Sequence, residues 1–174
     1  LCCERLKVLD LSETAKQPQH NEDSSIWVVL NGEIYNFREL KKSLENNHKF
    51  YTNSDTEVIV HAYEEYGEDC LSKLNGMFSF AIWDSKKKKL FLARDRMGVK
   101  PLFYCFVNNQ LLFSSEIKSL LQFDDVKREL NYEALSQFTT YAYTVDGQTL
   151  FKNINELLPG HKLIYFSDTK KFTI

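Results

Sequence analysis

Apolar positions along the chain follow two rhythms. Ile26-Trp27-Val28-Val29-Leu30 is an unbroken apolar run ending at Asn31-Gly32 and reads as a buried strand, with Leu6 to Leu9 as a shorter one. Asn36-x-x-Glu39 has the form of a capping box and predicts a helix through about Asn46, with Leu40 and Leu44 one turn apart. Ser54-x-x-Glu57 repeats that signature; Val58, Ile59, Ala62, Tyr63 and Tyr66 then form one apolar stripe, and Gly67 stops the helix. Strands are predicted at Met77 to Asp84, Leu90 to Arg96, Leu102 to Val107 and Leu111 to Ser114, and their short connections imply antiparallel neighbours. Ser115 is expected to cap a short helix to Leu121 and Asn131 another to about Thr140. Pro159-Gly160 then turns the chain into a last strand, His161 to Phe166. Strands clustered apart from helices predict an α+β layered fold rather than βαβ winding.

The chain of 174 residues is one domain's worth of core. A net charge of −2 argues against nucleic-acid and anionic-membrane partners, both of which favour a basic excess. The basic run Lys86 to Lys89 lies between two apolar stretches and reads as a solvated hairpin turn. The longest apolar run, Met77 to Trp83, is too short to span a bilayer, and the N-terminus has no signal-peptide pattern. Cys2, Cys3, Cys70 and Cys105 form no CxxC pair, and His20, His48, His61 and His161 do not stand at metal-ligand intervals from them, so thiols of a reducing cytoplasm and no metal are expected. No glycine-rich loop follows a strand, so no nucleotide cofactor is expected in this domain.

Amide hydrolysis needs a nucleophile, an acceptor for its proton, and donors aimed at the developing oxyanion. Asn31-Gly32 at the end of a buried strand can supply the donors, from the Asn amide and from a backbone N–H that no Cβ obstructs; the plain alternative is a turn. A pocket for a zwitterionic amino acid also needs a cation and anions. Arg5 offers a planar fork for a carboxylate, and Glu33 and Asp55 offer carboxylates for an ammonium. Composition alone leaves surface and helix-dipole readings open for all three.

The blocks Arg5 to Ser12, Asn31-Gly32-Glu33-Ile34-Tyr35-Asn36, Ser54 to Val58, Leu74 to Phe78, Arg94 to Leu102, Ser115 to Lys118 and Leu158 to His161 come in an order that resembles the glutaminase domain of glutamine-dependent asparagine synthetases. The resemblance implies a four-layer αββα sandwich of antiparallel sheets, of the N-terminal-nucleophile hydrolase type. It implies that Arg5 binds the carboxylate of L-glutamine while the backbone of Leu6, Lys7, Val8 and Leu9 cradles it. Asn31 and Gly32 would form the oxyanion hole, and Glu33 and Asp55 would hold the α-ammonium; Arg94 to Leu102 is expected to be architectural. Residues 1–166 would be the amidotransferase domain and 167–174 the start of a connection to a synthetase domain of the same polypeptide. ATP and magnesium belong to that second domain, and a cytoplasmic enzyme of asparagine biosynthesis, compatible with a homodimer, is implied.

Two features depart from the family's pattern. Its nucleophile is a cysteine at the mature N-terminus, several dozen residues before the Arg5 block, so the sequence is expected to be an N-terminally truncated fragment. Cys2 and Cys3 are poor substitutes, being too close to the carboxylate clamp to reach the other end of the substrate. The alternative is a structural, non-catalytic domain, as in amide-forming relatives that lack the cysteine; retention of Arg5, Asn31, Glu33 and Asp55 together argues for the enzyme.

Overall fold

The fold was examined in a computed structural model, which describes residues 1, 9, 10 and 12–174. The chain runs β1 (Gln19–His20), β2 (Ile26–Ile34), α1 (Phe37–Leu44), α2 (Asp55–Tyr66), β3 (Gly76–Asp84), β4 (Lys89–Arg94), β5 (Phe103–Val107), β6 (Gln110–Ser114), α3 (Ile117–Leu120), α4 (Tyr132–Tyr141), β7 (Asn155–Glu156), β8 (Lys162–Phe166) and β9 (Phe172–Thr173). Among the described residues the strands form two antiparallel sheets, β1-β2-β3-β4-β8-β9 and β6-β5-β7.

Strand alternation sorts the apolar side chains into layers. On the large sheet Val28, Leu30, Phe78, Phe80, Ile82, Phe91 and Ala93 face α1 and α2, where they meet Leu40, Leu44, Val58, Ile59 and Tyr63. The intervening residues Val29, Ala81, Leu90 and Leu92 point the other way, onto Tyr104, Phe106, Leu111 and Phe113 of the small sheet. The far face of that sheet, carrying Phe103, Cys105 and Leu112, packs on Leu120, Val126 and Ile154. The result is helices, sheet, sheet, helices: the αββα sandwich. Phe80 and Phe91 meet edge-on at 5.7 Å in the first interface. Burying one such ring stabilises by about 1.5–3 kcal/mol.

Several local signals work as the sequence predicts, although Glu57 accepts from Tyr51 and Thr52 rather than closing a capping box on the Ser54 N–H. The Ser54 hydroxyl accepts the Thr56 N–H at the start of α2, and Gly67 closes it; Asn131 accepts from Ala134 N–H at the start of α4. Others differ. The helix at 37 is not capped by Asn36, whose side chain instead bridges to Lys73 O and Asn75 N and ties α1 to the strand behind it. Ser115 does not cap α3, because its hydroxyl accepts from Asn31. Lys89 is not in the solvated turn: it is buried in β4, with its ammonium near Glu68 and over the Tyr63 and Phe91 rings. β2 continues through Asn31 to Ile34, since its ladder with β3 runs on to Ile34↔Gly76. Past Phe166 the chain turns back and Phe172–Thr173 pair with β8 as β9. Of the strand predicted at Leu6 to Leu9, Leu6, Lys7 and Val8 lie outside the described residues and Leu9 sits at a bend. Among the described residues no helix is long and apolar enough to cross a membrane.

Candidate functional site

β2 reaches the rim of the sheet where α2 begins, and a cavity of about 640 Å³ opens there. Leu9, Asn31, Gly32, Glu33 and Asp55 all line it, as do Gln17, Ser79, Lys100 and Ser115. Arg5, Leu6, Lys7 and Val8, the rest of the expected glutamine site, lie outside the described residues, as do Cys2 and Cys3. A smaller cavity of about 360 Å³, lined by Pro18, Trp27, Trp83, Leu90 and Phe113, is apolar and offers little to orient a polar substrate.

The wall at Asn31 has a specific construction. Asn31 donates one amide hydrogen to Ser115 Oγ at 3.0 Å, which fixes its rotamer and leaves a second hydrogen for another acceptor. Gly32 has φ +142°, and a Cβ there would collide with the Met77 carbonyl oxygen, so only glycine lets β2 lie this close to β3. Phe78, paired with Gly32, directs its own N–H and C=O to Asp95, on the side away from β2. Strand alternation therefore places the Gly32 N–H at the same edge as those of Leu30 and Ile34. The Leu30 N–H donates to Gln17 Oε1 at 2.7 Å, and the Ile34 N–H donates to Asp55 Oδ2 at 2.9 Å. Asp55 is buried at the first position of α2, where the helix dipole favours its charge. Among the described residues the Glu33 carboxylate and the Lys100 ammonium have no hydrogen-bonding side-chain partner, so the cavity carries both signs of charge at its wall.

In the Arg94 to Leu102 block beside the cavity, Arg94 and Asp95 turn their polar groups inward. Arg94 donates to the carbonyls of Gly98, Lys100 and Leu157 and pairs with Glu156 at 2.8 Å. The Asp95 carboxylate accepts from the backbone N–H groups of Phe78, Met97, Val99 and Lys100. Burial pushes Asp95 up, but those N–H groups outweigh it and hold its pKa below the usual carboxylate value. Cys70 and Cys105 are buried in the core; burial pushes the Cys70 thiol up to about 12 and raises Cys105 as well, which disfavours the thiolate at either.

Sequence reasoning missed Gln17, Ser79, Lys100 and Ser115 as parts of the cavity. Ser115 and Lys100 fall in blocks that match the family, so a signal existed, but a cap and an architectural turn accounted for them. Gln17 carries no motif.

Comparison with known proteins gives one family. The model described as "Glutamine amidotransferase domain" matches residues 1–173. The chain is similar to glutamine-hydrolyzing asparagine synthetase 2 of Bacillus subtilis (strain 168), 49% identical over 164 residues that cover 91% of this chain and 22% of that protein. It is also similar to glutamine-hydrolyzing asparagine synthetase 3 of the same organism, at 42% over 168 residues, 94% of this chain and 27% of that protein. The amidase chry2 of Gibberella zeae is 39% identical over 160 residues, covering 92% and 23%. The chain thus spans about a quarter of the length of these relatives. Among solved structures, glutamine phosphoribosylpyrophosphate amidotransferase from B. subtilis, complexed with ADP and GMP, shares the fold with a TM-score of 0.61 at 23% identity, covering 90% of this chain and 30% of that one.

Proposed function

The chain belongs to the glutamine amidotransferase domain family, and from that premise we propose that it binds L-glutamine in the 640 Å³ cavity and, within the complete protein, hydrolyses it to glutamate and ammonia for the ATP-dependent amidation of aspartate. One observation carries this reading: two donors suited to an oxyanion, Asn31 and Gly32, share a cavity with the carboxylates of Glu33 and Asp55. Chemistry at an amide carbonyl needs that combination. In this reading a cysteine thiolate of the complete protein attacks the side-chain carboxamide carbon, and the carbonyl oxygen becomes an oxyanion. The free Asn31 amide hydrogen and the Gly32 N–H stabilise that oxygen most strongly once it is charged. Collapse breaks the C–N bond, a proton passes to nitrogen and ammonia leaves; water then cleaves the thioester to release glutamate. Glu33 and Asp55 hold the α-ammonium, with Arg5 on the carboxylate. ATP and magnesium act in the synthetase domain, which receives the ammonia.

The relatives' names support asparagine formation. The test is a glutaminase assay of the complete protein, with glutamate and ammonia measured together. Equal amounts of each, and asparagine when aspartate and ATP are added, fit the reading. Glutamine that neither binds in calorimetry nor turns over would return the domain to a scaffolding role.

A further inference from the structure

The described residues converge at a second point, on the side of α2 away from the cavity. His61 and Glu64 lie three apart on one face of α2; Glu22 comes from the turn between β1 and β2, and His48 from the loop after α1. One ligand atom from each of the four falls within 4.8 Å of the others. Glu64 Oε2 is 3.1 Å from His61 Nδ1 and 3.5 Å from His48 Nδ1, and Glu22 Oε2 is 3.9 Å from His61 Nδ1. Four ligands around a tetrahedral zinc, each at about 2.0–2.2 Å, are separated from one another by roughly 3.3–3.6 Å.

The second polar atoms supply an independent argument, because those of Glu22, His48 and Glu64 are taken up by hydrogen bonds to outer partners. The Glu64 Oε1 accepts from Asn21 Nδ2 at 2.7 Å, and Asn21 is itself held by Ser25 Oγ and Ile26 N. Glu22 Oε1 accepts from the Lys49 N–H at 2.6 Å. His48 Nε2 faces Glu65 Oε2 at 3.3 Å. His61 is fully buried; its Nε2 makes no formal hydrogen bond but faces Glu57 Oε1 at 3.6 Å. Glu57 is fixed in turn by the N–H groups of Tyr51 and Thr52 and the Thr52 hydroxyl. Glu22, His48 and Glu64 are thus oriented from behind, His61 is backed by Glu57, and the remaining atoms turn to a common centre, where His61 Nδ1 and Glu64 Oε2 are hydrogen-bonded to each other. A carboxylate behind a ligating histidine is the arrangement that sets its tautomer and basicity.

We propose that Glu22, His48, His61 and Glu64 form a binding site for a zinc-class divalent cation, separate from the glutamine cavity, that pins α2 to the β1–β2 turn and the loop after α1. Two neutral imidazoles and two carboxylates favour a borderline transition ion over magnesium or calcium. Glu57 and Glu65 place two further carboxylates behind the cluster, which favours a divalent charge at its centre.

Cobalt(II) is the probe. The complete protein, stripped with chelator, is titrated with Co²⁺ alongside His48→Ala and Glu22→Gln, both at the rim of the cluster and each checked for native circular dichroism. The expected result is one more equivalent bound by the parent than by either variant, with visible bands of four-coordinate cobalt that Zn²⁺ abolishes. Zn²⁺ should also raise the melting temperature of the parent more than that of either variant. Glu57→Gln should weaken the affinity about 10- to 100-fold while keeping the bands. Equal stoichiometry and spectra in parent and variants would overturn the proposal, as would a parent whose melting Zn²⁺ leaves unmoved.

Discussion

Asn31-Gly32-Glu33 and Arg94-Asp95 belong to equally specific blocks of the sequence, one lining the cavity and the other beside it, yet they use their polar groups in opposite ways. Around Arg94 and Asp95, donors meet acceptors within the protein: a guanidinium against three carbonyls and a carboxylate, and a carboxylate against four backbone N–H groups. Around Asn31, one amide hydrogen is fixed by Ser115 while the other is left toward the cavity, and the Glu33 carboxylate has no hydrogen-bonding partner among the described residues. Asn31 and Glu33 are half-buried, so water or a ligand can complete their hydrogen bonds, whereas Arg94 and Asp95 are buried and complete theirs within the protein. The saturated region is a frame; the other leaves hydrogen-bonding capacity at the cavity wall. Motif strength alone does not separate the two.

The contrast breaks most easily at Asp95. Asp95→Ala leaves four N–H groups without their charged acceptor and should destabilise by on the order of 3–5 kcal/mol. That corresponds to roughly 10 °C in melting temperature for a domain of this size, readable by calorimetry. A loss under about 1 kcal/mol would mean that the turn holds itself.

Asn31→Ala is the opposite case. It should melt close to the parent while kcat for glutamine falls about 100- to 1,000-fold with little change in KM, because the amide meets the oxygen most strongly in the transition state. Normal turnover would remove Asn31 from the oxyanion hole.

A smaller effect separates binding from turnover. Asp55→Asn keeps an acceptor for the Ile34 N–H but removes the charge, so KM for glutamine should rise roughly 10- to 100-fold, with kcat nearly constant. Equal changes in both parameters would give Asp55 a part in the chemistry.

The smallest effect is in acid. Since the folded pKa of Asp95 is depressed, its stabilising contribution is fully present above its unfolded value of about 3.9 and is lost as pH falls through the lower folded one. The melting gap between the parent and Asp95→Asn should therefore hold constant from neutrality to about pH 4 and shrink below it. A gap independent of pH would assign the stability to shape rather than charge.

Much of this was legible in the sequence for identifiable reasons. Strands such as Met77 to Asp84 alternate against two apolar layers, and Ser54, Gly67 and Asn131 signal helix ends through contacts a few residues away. Asn36 and Ser115 misled because their side chains answer to residues 39 and 84 positions distant, which no local pattern encodes. Lys89 departs from its local pattern for a similar reason: its ammonium lies over the Tyr63 ring and reaches Glu68. The blocks around Asn31 and Asp55 pointed to the cavity, but Gln17 and Lys100 became visible only once chain segments far apart in sequence had met.

The order of strands in the large sheet also bears on how the chain folds. β3 and β4 are joined through the turn Ser85–Lys88 and can pair at once, whereas β2 reaches β3 only after α1 and α2 intervene. Pairings between distant segments form slowly, because the chain between them must close before any contact rewards it. The β3–β4 hairpin is thus a ready template, and β2, bearing Asn31 and Gly32, arrives later together with its helices. The wall at Asn31 and Gly32 therefore depends on a pairing that the chain must close over two helices to make.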